Sequence, residues 1–329
     1  MSAAGRADAP DPAAPDPAAL DSVIAPLAPR SLLLGITRAP GGRLVAVGER
    51  GHVLVSDDGG RSFRQQPAPT RATLTAVYFL DREHGVAVGH DEVILRTSDG
   101  GDHWTRVRFA PQTQQPFLDV WFGAGARGYA VGAYSTVFAS SDGGTTWAAQ
   151  DFTPQRVQPQ LAGAGDSDES VSQPHLYALL AGPGTRLYIA AEAGHLYRSD
   201  DAGASWRELR SPYEGSFFGL LALGDDSLLA FGLRGHVFRS DDGGGTWTAL
   251  ASHTDALLSG ATRLRDGTVL IVGLSGVVLV SHDARTFRVH QEADRRGFCA
   301  LAPADDAGDA VVLVGEAGVR RLTREQLEQ

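Results

Sequence analysis

The sequence predicts an all-β fold, a seven-bladed β-propeller with four-stranded blades. Three observations carry that expectation. First, a phrase Ser-x-Asp-x-Gly-x-Ser/Thr-Trp/Phe recurs six times, with its third-position Asp at Asp58, Asp99, Asp142, Asp201, Asp242 and Asp283. The steps between them are 41, 43, 59, 41 and 41 residues, a period that means equivalent supersecondary units packed side by side. Second, an apolar strand ending in Gly or Ala recurs seven times, from Val45-Ala46-Val47-Gly48 to Leu313-Val314-Gly315. Third, each period divides into four short apolar runs bounded by Gly/Asp turns, the strand density of a propeller blade.

The elements follow in order. Residues 1–22 form an Ala/Pro/Asp-rich tail expected to be disordered, and 23–329 a single propeller. In the second repeat, Leu74 to Phe79 is strand A, Val86 to Gly89 strand B, Val93 to Thr97 strand C and Trp104 to Val107 strand D. The seventh repeat shows only three strands, Phe298 to Ala302, Val311 to Val314 and Val319 to Thr323. Val23 to Leu34 is the expected donor of its fourth, which would close the last blade and hide a sheet edge. The long step comes from about 17 extra residues between the third and fourth blades, an insertion loop over 153–174 that carries Asp166, Asp168 and Glu169.

The phrase itself reads as structural. Its Asp accepts bonds from turn N–H groups, its Gly supplies positive φ, and the hydroxyls bond locally. The closing ring, Phe63, Trp104, Trp147, Trp206, Trp247 or Phe287, packs the turn onto the sheet. A catalytic centre needs different groups converging once, whereas this set repeats in successive blades.

Composition narrows function. There are 29 basic and 39 acidic residues, a net charge of −10, and every basic residue is Arg. The absence of Lys reads as a GC-rich genome. No polybasic segment points to nucleic acid or an anionic membrane, and no apolar run is long enough for a spanning helix. The single Cys299 lies in an apolar stretch and reads as a small buried hydrophobe. No phosphate loop, zinc-ligand spacing or nucleophile elbow emerges. No cofactor, metal or catalytic residue is assigned. The 1–22 tail lacks the apolar core of a signal peptide and looks like the stretch that follows a removed one. Export to the periplasm is the expectation, with a cytoplasmic protein as the alternative.

Strand order places the A–B and C–D turns on one face and the B–C turns and D-to-A connections on the other. The second face carries the strongly polar B–C turns, and loops on a rigid scaffold are where binding sits. Its candidates are Arg50, His52, Asp91, Glu92, Tyr134, His195, Arg234 and His236. His52, His195 and His236 share one slot in three separated blades. That fits a turn preference or partner contact better than one metal ion.

The recurring phrase resembles the Asp-box, or bacterial neuraminidase repeat, of sialidases, sortilin-type receptors, xyloglucan hydrolases and the photosystem II stability/assembly-factor family. The blade grammar, as in Gly85-Val86-Ala87-Val88-Gly89 through Trp104 and Gly128-Tyr129-Ala130-Val131-Gly132 through Trp147, is most similar to the last of these. The opening Leu27-Ala28-Pro29-Arg30-Ser31-Leu32-Leu33-Leu34 looks like its bacterial, non-photosynthetic branch, which is associated with resistance-nodulation-division type transporters. The resemblance implies a non-catalytic scaffold, adaptor or assembly factor for a membrane protein complex, with a membrane transporter as partner. The alternative is a carbohydrate-binding or glycoside-hydrolysing propeller. It would need a facing carboxylate pair, for which Asp91, Glu92, Glu192 and Glu316 are the candidates. The Phe/Tyr-Arg-Ile-Pro opening of sialidases is missing; Ala28-Pro29-Arg30 does not replace it.

Overall fold

The computed structural model describes residues 20–156 and 173–328. The expected 1–22 tail lies outside them except for its last three residues. So does the middle of the 153–174 insertion, including Asp166, Asp168 and Glu169. The described residues form seven antiparallel sheets in a ring, a seven-bladed β-propeller. The innermost strands are neighbours in sequence order, and Leu33–Arg38 of blade 1 meets Phe298–Pro303 of blade 7 to close the circle. Blade 2 shows the expected strands: A is Leu74–Phe79, B Gly85–Gly89, C Ile94–Thr97 and D Thr105–Arg108.

Strand B of every blade is buried on both faces, as Gly85–Gly89 is, because each sheet packs between two others. The core is therefore divided into wedges between blades. One wedge joins Val47 and Val55 of blade 1 to Leu74 and Phe79 of blade 2. Another joins Tyr188 of blade 4 to Phe217 and Phe238 of blade 5.

The Asp phrases make the local fold expected of them. Ser140 Oγ donates to Asp142 Oδ1 at 2.9 Å and accepts from Gly144 N at 2.9 Å. Asp142 also accepts from Thr146 N at 2.9 Å and Thr146 Oγ1 at 2.7 Å. These bonds hold its carboxyl down at about 2. Gly143 and Gly144 have φ of 69° and 81°, where a side chain would be strained. Trp147 Nε1 closes the turn on Gly144 O at 3.1 Å.

Arginines then lock adjacent blades through the same turns. Arg96 donates to Gly143 O at 3.1 Å, Arg198 to Gly243 O at 3.0 Å and Arg239 to Ala284 O at 3.2 Å, each one blade further on. Arg321 of blade 7 donates to Gly59 O of blade 1 at 3.0 Å and fastens the ring. The composition reading gave these arginines no structural task.

The seventh blade departs from expectation in form. Its sheet has three strands among the described residues, Phe298–Pro303, Ala310–Gly315 and Gly318–Thr323. The N-terminal segment packs into the seam as expected, but as coil with a short 3-10 turn over Ala28–Arg30 rather than as a fourth strand. Leu33 and Leu34 begin strand A of blade 1 instead. Pro26 and Pro29 lack the N–H that ladder pairing requires. The segment is held by Ser22 N to Ala68 O at 2.8 Å and Ala25 N to Gln65 Oε1 at 2.8 Å, and Ala28 is buried in the seam.

The insertion also does something the sequence did not suggest. Gln155, at its start, pairs in parallel with Arg207 on the outer strand of blade 4, through Gln155 N to Trp206 O and Glu208 N to Gln155 O, both 2.9 Å. No helix of the described residues is long and apolar enough to cross a membrane.

Candidate functional site

Seven B–C turns ring the second face, and one backbone bond recurs in all of them. The first turn residue donates its N–H to the carbonyl just before strand A of the same blade. Examples are Glu49 to Leu32 at 3.0 Å, His90 to Thr73 at 2.8 Å, Leu233 to Ser216 at 3.0 Å and Glu316 to Gly297 at 3.0 Å. In six blades the next residue is left-handed: Arg50, Asp91, Tyr134, Ala193, Arg234 and Ser275 have φ between 52° and 59°. That conformation costs about 1 kcal/mol for a non-glycine residue. It places the residue at the outer corner of a turn that the backbone bond ties down.

The expected site residues separate into two groups. Arg50, Tyr134 and Arg234 stand exposed at turn apices, Tyr134 at 52%. Neither Arg50 nor Arg234 makes a hydrogen bond or ion pair among the described residues. The rest serve the turns. Asp91 occupies an apex but is half-buried, and its carbonyl accepts from Ala110 N at 2.8 Å. Glu92 is 2% exposed and ion-paired to Arg108. His52 is 3% exposed, and its Nδ1 has no partner. Burial holds its imidazole below the usual histidine range, against the pull of Glu49 and with a push from Arg50. His195 Nδ1 sits 2.6 Å from Glu208 Oε1, with its ring parallel to Tyr197. His236 stacks on Tyr213 at 4.2 Å. One slot thus holds three histidines with three different sets of neighbours.

The carboxylates of the glycosidase alternative are engaged too. Glu192 accepts from His175 N at 3.2 Å and Glu316 from Gly297 N at 3.0 Å. Each ties its turn back to the entry of strand A. Among the described residues no group of three or more His, Cys, Asp and Glu could hold a metal ion.

What the sequence reading missed lies at the centre of this face. Strand A of each blade carries a β-bulge next to its first residue, as at Leu176/Ala178 and Phe217/Gly219. A bulge re-aims the extra side chain. Here it turns Leu34, Leu118, Tyr177 and Phe218 into the mouth of the central channel, with Thr75, Ser259 and Cys299 completing the ring. Tyr177 continues outward as an aromatic strip. Its ring lies 4.6 Å from Phe218 and 6.2 Å from His175, which lies 4.9 Å from Tyr134. Aligning the second residue of every strand A would have found this ring; the sequence reading aligned turns instead. Cys299 is half-buried on the wall, and burial pushes its thiol up to about 11 with the Glu316 carboxylate adding to the shift, so it stays protonated.

The next layer down is Gly35, Ala76, Ala178, Gly219, Gly260 and Ala300, with Asp119 in blade 3 as the exception. Asp119 Oδ2 accepts from Leu179 N of blade 4 at 2.7 Å, and Oδ1 from Val120 N at 2.8 Å. Burial pushes its carboxyl up to about 6, and the two N–H bonds, which favour the charged form, offset only part of that. The other ionisable groups on the channel wall, Tyr177 and Cys299, are shifted upward and neutral below pH 7. Between pH 4 and 6 the folded chain therefore binds the Asp119 proton and the unfolded chain does not. This group's contribution to stability falls as pH rises through that window. In urea unfolding from pH 4 to 7, wild type should lose about 2–3 kcal/mol relative to Asp119→Asn. Parallel pH profiles for the two proteins would refute the assignment.

Residues 106–296, more than half of the chain, match the family described as photosynthesis system II assembly factor YCF48. The fold is similar to that of YCF48 bound to a D1 peptide (TM-score 0.67, 16% identity, 89% of this chain and 93% of that one). It is also similar to YCF48 from Cyanidioschyzon merolae (TM-score 0.66, 14% identity, 90% and 97%). The WD40 propeller domain of Doa1 matches as well (TM-score 0.66, 11% identity, 94% and 98%). No curated protein matches the chain.

Proposed function

The chain belongs to the photosynthesis system II assembly factor YCF48 family, and from that membership we propose that it is a protein-binding scaffold. It serves as an adaptor or assembly factor for a membrane protein complex outside the cytoplasm, with a resistance-nodulation-division type transporter as the partner. One observation carries the binding surface. Arg50, Tyr134 and Arg234 stand at the apices of turns held by the same backbone tie, with no hydrogen bond or ion pair among the described residues. Arginine and tyrosine are residue types enriched among interface anchors, and a rigid backbone spares the cost of ordering the turn on binding. A related propeller bound to a peptide of another protein supports the class of ligand.

The test is affinity purification of the tagged propeller from detergent-solubilised membranes of its host, beside the Arg50→Ala/Tyr134→Ala/Arg234→Ala variant. A transporter of the stated type should co-purify in fixed ratio, and its affinity for the variant should fall about 100-fold or more. A different membrane complex would refute the transporter and leave the scaffold. Equal capture by the variant would refute the second-face site.

A further inference from the structure

The central channel contains one charged residue that the fold leaves without an opposite charge. Asp119 is the lone ionised side chain on the wall, and no Arg or His lines the lumen among the described residues. Its two bonds to backbone N–H groups use about half of a carboxylate's acceptor positions. Six of the seven blades place Gly or Ala in this layer, so the carboxylate is specific to one blade rather than a product of the repeat. A cation alongside would stabilise the charge that burial disfavours.

The walls above it select the shape of that cation. Leu34, Leu118, Tyr177 and Phe218 make an apolar mouth at the second face, and two of the four are aromatic, the residue type that attracts a positive group. The lumen has about 240 Å³, the share of roughly eight waters at ~30 Å³ each. That admits one slender chain or a single small ring and nothing much larger. The matching chemistry is an apolar stem of a few methylenes ending in a compact cation. This protein contains no lysine, so its own side chains supply no alkylammonium.

We infer that the channel mouth is a receptor for one lysine side chain of the partner protein, its methylenes against Tyr177 and Phe218 and its ammonium on Asp119. The inference rests on the scaffold reading of the second face and adds what the partner inserts there.

The probes are n-butylammonium, N-acetyl-lysine methylamide and the neutral control 1-butanol. The readouts are the Asp119 carboxyl resonance in protein labelled with carbon-13 at aspartate carboxyls, and affinity by titration. Both amines should move the resonance and lower its titration midpoint, and 1-butanol should do neither. Asp119→Asn, which keeps an acceptor for Leu179 N, should weaken amine binding at least tenfold. A resonance indifferent to 100-fold molar excess of either amine would overturn the inference, as would equal binding by Asp119→Asn. Binding of n-butylammonium without the lysine derivative would overturn the lysine source and point to a free amine. The Arg50/Tyr134/Arg234 alanine variant should still bind both amines. The channel and the rim therefore fail or stand separately. Should Asp119→Asn not fold, the amine-against-alcohol contrast on wild type decides alone.

Discussion

Arg108→Ala should lower the unfolding free energy by about 3 kcal/mol, the low end of the range for breaking a buried ion pair. Glu92 sits in the B–C turn of blade 2 at a φ of 49°, 2% exposed, so its carboxylate has little access to water of its own. Arg108, on strand D of the same blade, brings Nε to Glu92 Oε2 at 2.8 Å and Nη2 to the same oxygen. Its guanidinium also lies 4.3 Å from the centre of the Phe138 ring in blade 3. One side chain thus ties a second-face turn to its own outer strand and to the next blade. Alanine leaves the carboxylate buried and unpaired, and that desolvation sets the cost. Arg108 keeps 31% side-chain exposure, so water partly screens the pair and places the estimate at the low end. Glu92→Gln combined with Arg108→Met removes both charges and should recover most of the loss. Urea unfolding with an unchanged m-value measures both. A single-variant cost below about 1 kcal/mol would show that the pair is effectively solvated.

Phe217→Ala should cost about 3–5 kcal/mol, the usual loss for emptying a large core position. Phe217 is 0% exposed and belongs to the wedge between blades 4 and 5. Its ring meets Phe238 edge-on at 5.9 Å and Tyr213 at 6.1 Å. Tyr213 in turn carries His236, the residue that closes the turn presenting Arg234. Phe217 also precedes the bulge that aims Phe218 into the channel mouth. The cavity therefore lies beneath both parts of the second-face site. At a temperature where the variant remains folded, partner binding should weaken along with stability. Phe217→Leu, which keeps much of the volume, should cost far less on both counts. Full binding by a destabilised Phe217→Ala protein would show that the rim does not depend on this support.

Legibility followed the range of the interactions. The Asp phrase could be read because its bonds run from Asp142 to Thr146 or from Ser140 to Gly144, within one turn of chain. The exposed apices were legible for a similar reason: the turn between strands B and C is a few residues long. The roles of His52, His195 and His236 were not legible. Identical local slots meet different neighbours, such as Glu208 for His195 and Tyr213 for His236. The form of the N-terminal segment was half legible. Its place in the seam followed from the missing strand, whereas its coil conformation follows from two prolines whose effect on pairing the sequence reading did not weigh.

Period, turn chemistry and short apolar runs are legible along the chain itself, so the sequence by itself determined seven blades, their strands apart from the expected fourth strand of the last blade, and the face that carries the polar turns. Tertiary structure alone decided what crosses from one blade to another. Asp119 meets Leu179 sixty positions along the chain, and Arg321 meets Gly59 from the opposite end of it. Such contacts form only when the ring closes. Closure brings seven bulges to one channel and sets a single carboxylate on its wall with no opposite charge beside it among the described residues, and no local pattern records either event.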